Sequence, residues 1–306
     1  YGDHRDLHYP LRRQRQMCIR DRFMPEYEDE VSSSFVVESW YNKSFWLYLL
    51  YPFSIIFSYL TSRKRRKFLK NKIKSFKSKI PIVVIGNLTV GGTGKTPLVK
   101  YIASELINRG YKPGIVSRGY GGNFKETLKV TDEASVGQTG DEAQILAKLN
   151  LPFFLDKNRS RAAKKLQENY DVDVIISDDG LQHYAMGRDI EIAVIDGVRR
   201  LGNGFAFPAG PLREPKSRLN EVDFIINNGG PTEGDEILMT LSPTKFVHLN
   251  SGKEYSVDKW PMHNQVHALA GIGNPNRFFD LLLRLCLLYT SPSPRDATLS
   301  RMPSSA

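Results

Sequence analysis

The sequence predicts an α/β fold with a doubly wound, mostly parallel sheet. Short β-branched runs, of which residues 82–85 are the first, recur along the chain and predict buried strands. Apolar residues at helical spacing follow several of these runs, and strands that alternate with helices form parallel sheets. Glycine-rich loops or paired acids stand directly after predicted strands, where ligands bind in open α/β sheets. The 306 residues, 41% of them hydrophobic, suffice for a large core and allow two domains.

The first predicted strand runs into a glycine-rich loop, GNLTVGGTGKTP, at residues 86–97. Glycines allow successive backbone N–H groups to point into one concavity, and a following helix N-terminus adds positive potential there. Lys95 adds a full charge, and the hydroxyl of Thr96 can hold Mg²⁺. The stretch predicts a P-loop NTPase-type fold in which a nucleoside triphosphate is bound by Gly91, Gly92, Thr93, Gly94, Lys95 and Thr96. Thr89 stands where the usual pattern has its first glycine, so an ordinary strand-to-helix turn is the alternative.

Two adjacent carboxylates, Asp178 and Asp179, follow the predicted strand at 173–177. In phosphoryl transfer an acid at this position holds Mg²⁺, directly or through water. Adjacent carboxylates at a sheet edge are costly unless a cation or hydrogen-bond donors balance them, so the pair predicts a metal site. An N-cap role for one of them is the alternative. His183, in the turn that follows, would contact phosphate or substrate, or only complete the turn.

Two further loops supply candidate site residues. The loop at 117–122, SRGYGG, follows a predicted strand, so Arg118 and Tyr120 are expected near the nucleotide or the acceptor. A structural ion pair is the alternative for Arg118. Asp141 opens a predicted helix, and we interpret it as the base that takes a proton from an attacking hydroxyl. The alternative is a carboxylate that the helix dipole favours in a first turn.

An apolar segment precedes the P-loop. Residues 45–60 carry no charge, are rich in aromatic side chains, and fall short of the about 20 residues needed to span a bilayer. Pro52 interrupts the segment, and basic residues follow at 63–67, which favours contact with anionic lipid. We predict an interfacial anchor on the cytoplasmic side of a membrane; a transmembrane helix and a buried core helix with a solvated basic face remain alternatives. No nucleic-acid-reading motif accompanies the net charge of +10, so no nucleic-acid partner is expected.

Several motifs occur in the order that is typical of one known family. They are GNLTVGGTGKTP, SRGYGG, GDEA, DDGLQH, FPAGPLREP and ALAGIGNPNRFF, within about residues 45–285. In these motifs the chain resembles the tetraacyldisaccharide 4′-kinases, the lipid A kinase family of Gram-negative bacteria. The resemblance implies ATP- and Mg²⁺-dependent phosphorylation of the 4′-hydroxyl of an acylated disaccharide 1-phosphate, to give lipid IVA. It also implies that the protein binds its lipid substrate at the anionic cytoplasmic face of the inner membrane. No protein partner is implied.

The resemblance further implies roles for individual residues. Lys95, Arg118 and Asp141 would be catalytic, with Asp141 as the base. Thr96, Asp178 and Asp179 would hold Mg²⁺. Tyr120, Gln182 and His183 would bind substrate.

The chain departs from the family pattern at its C-terminal end. Family members continue past the GIGNP helix with an Asp-His-containing segment, whereas the pattern here stops near Leu285, so we expect a truncated chain. A membrane-associated ATPase of the partition or septum-positioning type is the alternative function, although such proteins carry a lysine where Val90 stands. A nucleotide-binding membrane protein without catalysis is a second alternative.

Composition divides the chain into five predicted parts. These are a tail at 1–22, a membrane-associated helix and basic segment at 23–79, a P-loop kinase core at 80–230, a partial second α/β lobe at 231–285 and a tail at 286–306. The tails are aperiodic and resemble no fold element, so we expect them to be non-native, with natural disordered tails as the alternative. Cys18 and Cys286 both lie in the tails, which argues against a disulfide scaffold or a cysteine-ligated metal. Within the core, a Gly/Pro-rich loop at 202–215 predicts a substrate-binding surface.

Overall fold

The computed structural model describes residues 35–70, 72–73, 75–131, 134–257, 268–270 and 274–285. Both predicted tails, 1–22 and 286–306, lie outside these ranges. The chain divides into two compact units, of which the larger is Phe35–Ser242 and the other includes Pro243–Ala306. Every predicted site residue belongs to the larger unit.

The larger unit is built on an eight-stranded sheet. Its strands are β1 (Ile82–Gly86), β2 (Pro113–Ser117), β3 (Leu128–Lys129), β4 (Phe153–Leu155), β5 (Val174–Asp178), β6 (Ile190–Asp196), β7 (Phe224–Asn228) and β8 (Ile237–Met239). The order across the sheet is β3-β4-β2-β5-β1-β6-β7-β8, and all neighbouring pairs are parallel except β3 with β4. This arrangement confirms the predicted mostly parallel sheet and places β5 and β1 side by side near its centre.

Helices cover both faces of this sheet. The larger unit contains α1 (Phe35–Asn42), α2 (Tyr51–Leu69), α3 (Lys95–Asn108), α4 (Val136–Thr139), α5 (Asp141–Ala147) and α6 (Arg159–Asn169). Successive residues of a strand point to opposite faces. Ile115 and Ile176 therefore pack with α3 and α5, whereas Val116 and Ile175 pack with α6. Burial on both faces explains why the central strands are continuous apolar runs, and it confirms the doubly wound fold.

The apolar segment forms two consecutive helices, a 3₁₀ helix at Phe45–Leu50 and then the first turns of α2. Pro52 does not interrupt the segment as the sequence predicts, because it lies in the first turn of α2, where its missing N–H costs no hydrogen bond. By length and composition, Phe45–Leu69 is apolar enough to cross a membrane. Only 11% of the apolar 18-residue stretch in this segment is buried, which disfavours the alternative of a core helix.

The inner side of this segment packs on the Gly/Pro loop (residues 202–215). Ser54 of α2 is buried, and its Oγ accepts a hydrogen bond from the backbone N–H of Ala209 at 2.9 Å. The indole N–H of Trp40 in α1 donates to a carbonyl of the same loop at 3.0 Å. Aromatic ring contacts between the helices and the loop add to these bonds. The Gly/Pro loop therefore joins the apolar segment to the body of the larger unit.

The position of β8 differs from its predicted one. The sequence pattern places this strand in a second lobe at 231–285, but β8 pairs in parallel with β7 and belongs to the large sheet. The division between the two units falls after Ser242. A three-residue strand carries no local signal of which sheet it joins, since pairing is decided by its neighbours.

The described part of the smaller unit contains an antiparallel hairpin and a helix. The hairpin joins β9 (Lys245–Val247) to β10 (Glu254–Ser256), and α7 covers Pro275–Arg284. The turn residues GIGNP, followed by NRFF, predict a helix from Asn276, and α7 agrees with this prediction. The apolar run VHALA at 266–270 predicts a strand; residues 266–267 lie outside the described residues, and 268–270 form no strand.

Candidate active site

Polar side chains collect at the carboxyl edge of the large sheet, on the face covered by α3 and α5. The alternation that points apolar residues of β2 and β5 to this face also points Ser117 and Asp178 there. Asn87, directly after β1, and Asn228, the last residue of β7, follow the same pattern. All four side chains are buried. This edge therefore combines a dry environment with several hydrogen-bonding groups.

Two buried asparagines hold the backbone of the P-loop. The Asn87 side-chain amide donates to the carbonyls of Thr89 and Gly91, at 2.8 and 3.1 Å. The Asn228 amide donates to the carbonyl of Thr93 at 2.9 Å. Because these bonds turn loop carbonyls toward the side chains, the opposite backbone edge is available to a ligand.

Glycine is required where the P-loop enters α3. Gly91 and Gly94 adopt φ values of +106° and +91°, which L side chains rarely adopt. A Cβ at Gly94 would also lie 2.2 Å from the amide nitrogen of Asn228. Exposure varies along the predicted phosphate-binding stretch: Gly91 and Gly92 are exposed, Gly94 is half-buried, and Thr93, Lys95 and Thr96 are buried.

The Gly/Pro loop is hydrogen-bonded to the first residues of the P-loop. The N–H of Val90 donates to the carbonyl of Pro211 at 2.8 Å, and the N–H of Arg213 donates to the carbonyl of Leu88 at 2.7 Å. The loop that packs on the apolar segment is thus also hydrogen-bonded to the phosphate-binding loop. Its predicted role as a substrate-binding surface stays a prediction.

Asp179 is surrounded by three cationic side chains. Its carboxylate lies 3.4 Å from Nζ of Lys95 and accepts hydrogen bonds at 3.2 Å from Arg213 on both oxygens. Arg159, the first residue of α6, donates to the backbone carbonyl of Asp179 at 2.5 Å. Asp179 itself has a φ of +50°, an unusual conformation for a non-glycine residue. Burial would raise the pKa of Asp179, but Lys95, Arg213 and Arg159 outweigh it and hold the pKa below its ordinary value.

Asp178 has a different environment. It is only 1% exposed, and its Oδ2 accepts a hydrogen bond from the hydroxyl of Ser117 at 3.3 Å. Its Oδ1 is buried and has no hydrogen-bond partner among the described residues. Burial raises the pKa of Asp178 to about 6 against the favourable charge of Lys95, and the negative charges of Glu142 and Asp179 add to the rise.

The unpartnered oxygen of Asp178 fits a divalent cation. A buried acceptor without a donor is unfavourable unless a ligand supplies positive charge. Thr96 is buried in the first turn of α3, directly after Lys95, and adds a hydroxyl of the kind that P-loops use for Mg²⁺. No cluster of three or more His, Cys, Asp or Glu side chains suited to a metal occurs in the described part of the chain. Mg²⁺ bound through one or two protein groups and substrate phosphates needs no such cluster.

Asp141 is exposed at the first residue of α5, and its carboxylate makes no hydrogen bond or ion pair with another described residue. The preceding Gly140 packs so closely on the loop of Tyr120 that a Cβ there would lie 2.1 Å from the Tyr120 carbonyl oxygen. Tyr120 is 84% exposed, and Arg118 is also exposed. The structure therefore brings the Asp141 and Tyr120 loops together and leaves their polar side chains accessible.

Gln182 and His183 lie in the turn after the acid pair. The Gln182 amide donates to the backbone carbonyl of Asn87 at 3.0 Å, which ties this turn to the start of the P-loop. Nε2 of His183 is buried without a hydrogen-bond partner among the described residues. Burial and the positive charges of nearby side chains lower the pKa of His183 to about 4. Those side chains are Arg159, Arg188, Lys64 and Arg118.

Five residues of this site are absent from the set that the sequence predicts: Ser117, Asn87, Asn228, Arg159 and Arg213. Ser117, Asn87 and Arg213 lie inside the motifs quoted above, and Asn228 ends a predicted strand, so position at a strand end is the signal that could have found most of them. Arg159 carries no such signal, because it opens an ordinary amphipathic helix.

A family model described as Tetraacyldisaccharide-1-P 4'-kinase matches residues 46–293. The chain belongs to this family. It is 47% identical over 247 residues to the Tetraacyldisaccharide 4'-kinase of Shewanella frigidimarina, covering 80% of this chain and 73% of that protein. It is also 47% identical over 239 residues to the Tetraacyldisaccharide 4'-kinase of Vibrio cholerae serotype O1, covering 78% and 70%. The family match extends beyond Leu285 into the segment predicted as a C-terminal tail.

The fold is similar to a solved structure of LpxK from Aquifex aeolicus, described as an "apo" form in complex with ATP. The TM-score is 0.69 at 26% sequence identity, and the similarity covers 85% of each chain. Family membership confirms the predicted kinase class, and the ATP bound by this neighbour agrees with the predicted nucleotide. They do not favour the alternative of a partition- or septum-positioning-type ATPase.

The lowered pKa of His183 predicts how the stability of the protein depends on pH. The unfolded chain protonates this ring below pH 6.5, whereas the folded protein does so only near pH 4. Between these values the unfolded state binds more protons, so His183 should make the free energy of unfolding fall as the pH falls from 6.5 to 4. Replacing His183→Gln should flatten the pH dependence of the melting temperature in that window.

The matched control is His248→Gln, which removes a histidine from the exposed turn of the β9–β10 hairpin and should keep the wild-type slope. A His183→Gln variant with the full wild-type slope would show that the ring does not titrate in this environment.

Proposed function

We propose that this chain transfers the γ-phosphoryl group of ATP to the 4′-hydroxyl of a tetraacyldisaccharide 1-phosphate. The observation that carries the proposal is the pairing of Lys95 with the acid pair: its ammonium lies 3.4 Å from Asp179, and its charge opposes the rise that burial causes in the pKa of Asp178. Here a P-loop lysine and two carboxylates share the carboxyl edge of the sheet, in a chain that belongs to the family of kinases with this activity.

The P-loop residues Gly91 to Thr96 would bind the phosphates through backbone N–H groups. Asp179 is the counter-ion of Lys95 in this structure, and this ion pair holds the Lys95 ammonium at the carboxyl edge of the sheet. A triphosphate would compete with Asp179 for this ammonium. Arg213 and Arg159 would then continue to neutralise Asp179, and the loss of one cation would not leave that carboxylate without a partner.

Asp178 and Thr96 are the residues that would hold Mg²⁺. Bound Mg²⁺ neutralises charge that develops on the phosphate oxygens. The unpartnered Oδ1 supports assigning Asp178 to the metal, while Asp179 makes its contacts with Lys95 and Arg213. We therefore assign the two predicted metal ligands different roles: Asp178 faces the cation, and Asp179 positions basic side chains.

Asp141 would act as the base toward the 4′-hydroxyl. Its exposure and its freedom from other described partners leave the carboxylate available to an incoming sugar. Arg118 and Tyr120, exposed on the adjacent loop, would contact the nucleotide or the acceptor. His183 would do so as a neutral ring at pH 7, because its lowered pKa excludes a charged form there.

The acceptor carries acyl chains, and the apolar segment offers a surface for its membrane. Phe45, Leu49, Phe53, Ile56 and Leu60 are each more than half exposed. The basic residues at 63–67 follow on the same helix, α2, and each charge near an anionic surface is worth about 1 kcal/mol. We place the protein peripherally on the cytoplasmic face of the bacterial inner membrane, with α2 at the interface.

Replacing Lys95→Ala or Asp141→Asn separates catalysis from nucleotide binding. Both variants should lose at least ~100-fold in transfer from labelled ATP to the acylated disaccharide 1-phosphate in detergent. Lys95→Ala should also weaken ATP binding, because a phosphate-binding charge is gone, whereas Asp141→Asn should bind ATP normally. Asp171→Asn is the control, since this exposed aspartate lies before β5, at the other end of the strand.

Full transfer activity of the Asp141→Asn variant would show that Asp141 is not the catalytic base. A wild-type protein that binds ATP but transfers nothing would favour the alternative of a non-catalytic nucleotide-binding membrane protein.

Vesicle sedimentation tests the membrane proposal. Reversing two exposed charges of α2 (Arg63→Glu with Lys67→Glu) should weaken binding to vesicles that contain phosphatidylglycerol by at least ~30-fold, because the loss of the two attractions alone costs about 2 kcal/mol. Binding to phosphatidylcholine vesicles should change little. The matched control reverses the charges of Lys100 and Lys148, which are also exposed, and should have no effect. Lys100 lies in α3, and Lys148 directly follows α5. Equal effects of the two pairs would contradict a role for the basic part of α2.

A further inference from the structure

We propose that Ser117 is a positioning residue that orients the carboxylate of Asp178 toward Mg²⁺. The inference rests on the proposed function, because it concerns the metal that accompanies the nucleotide. It adds a residue outside the predicted site set and assigns it a defined action on one neighbouring side chain.

The geometry follows from the register of two adjacent strands. β2 and β5 are parallel neighbours in which Val116 pairs with Ser177. The next residues, Ser117 and Asp178, end their strands on the face covered by α3 and α5. The Ser117 Oγ donates to Oδ2 of Asp178 at 3.3 Å, and both residues are buried, at 8% and 1% exposure.

This hydrogen bond decides which oxygen of Asp178 is free. Among the described residues, Ser117 is the one hydrogen-bond donor to the Asp178 carboxylate, and it engages Oδ2 alone. Oδ1 is left buried and unpartnered. A carboxylate held by one oxygen is restricted in its rotation, so the other oxygen would keep one direction in which it could contact the ion.

The neighbouring acid is held in a different way. Lys95 and Arg213 contact the carboxylate of Asp179, and Arg159 holds its backbone carbonyl. These cations would keep Asp179 in place without Ser117. Asp178 makes no hydrogen-bonded ion pair with a described residue, so its orientation depends on the serine hydroxyl.

Loss of the hydroxyl should therefore act on the metal rather than on the nucleotide. Groups that hydrogen-bond to a metal ligand typically change metal affinity ~10-fold or more when removed. The P-loop backbone is held by Asn87 and Asn228, neither of which depends on Ser117. Binding of the nucleotide without metal should consequently persist.

Ser177 provides a matched control. It is the residue before Asp178, is fully buried, and its Oγ has no hydrogen-bond partner among the described residues. It lies on the opposite face of the sheet, so its hydroxyl does not reach the Asp178 carboxylate. Ser177→Ala removes the same chemical group one position away.

The experiment titrates Mg²⁺ into the full chain with a fluorescent ATP analogue and records the tightening of nucleotide binding. The half-saturating Mg²⁺ concentration for transfer is measured beside it. Ser117→Ala and Ser117→Val should need ~10-fold more Mg²⁺ in both assays, with unchanged metal-free nucleotide affinity. Ser117→Thr, which keeps the hydroxyl in nearly the shape of valine, should stay within about threefold of wild type, and Ser177→Ala should match wild type.

Equal Mg²⁺ requirements for the threonine and valine variants would overturn the proposal, whether both resemble wild type or both are impaired. A loss of metal-free nucleotide binding in Ser117→Val that threonine does not share would also overturn it, because the hydroxyl would then support the whole site. If the alanine variant fails to fold, the threonine–valine pair decides. A wild-type protein without Mg²⁺-dependent nucleotide binding would instead contradict the proposed function itself.

Discussion

Two adjacent carboxylates at the buried end of β5 are the constraint on which the rest of the site depends. Like charges this close cannot both ionise in a dry environment without compensating groups. Asp179 obtains compensation from Lys95, Arg213 and Arg159, which come from the P-loop, the Gly/Pro loop and the start of α6. Among the described residues, Asp178 accepts a hydrogen bond only from the Ser117 hydroxyl, and burial raises its pKa to about 6 against the charge of Lys95. The asymmetry leaves Asp179 paired with basic side chains and Asp178 with one buried oxygen that has no hydrogen-bond partner among the described residues, the oxygen that we propose for Mg²⁺.

Satisfying Asp179 also ties distant parts of the larger unit together. Arg213 belongs to the Gly/Pro loop, whose backbone pairs with the P-loop and whose Ala209 N–H donates to Ser54 in α2. The apolar segment, the phosphate-binding loop and the acid pair are therefore connected through one stretch of chain. This packing keeps the exposed apolar segment and the P-loop in one compact unit.

The elements that the sequence predicts well are those whose signal is local. The run at 82–85 followed by glycines and Lys95 predicts a buried strand that enters a loop and then a helix, and the structure has β1 and α3 there. The acid pair is likewise visible, because two adjacent carboxylates at the end of an apolar strand are costly unless other groups balance them. Pro52 carries an ambiguous signal, since proline either interrupts a helix or begins one, and only the backbone conformation distinguishes the two.

What the sequence does not predict depends on the order of strands across the sheet. Ser117 and Asp178 are 61 residues apart, and Asn228 and Thr93 are 135 apart, so their contacts exist only because β2 lies beside β5 and β7 lies near β1. The same applies to β8, whose partner is decided by the sheet and not by its own three residues. The sequence also presents Asp178 and Asp179 as equivalent, and it is their three-dimensional neighbours that distinguish them.

A crystal structure of the protein with Mg²⁺ and a non-hydrolysable ATP analogue tests the central claim most directly. The account predicts Mg²⁺ on the Oδ1 side of Asp178, with Ser117 still bonded to Oδ2 and Lys95 moved from Asp179 to the phosphates. Mg²⁺ bound by Asp179 with Asp178 uninvolved, or phosphates bound while Lys95 stays paired with Asp179, would contradict it.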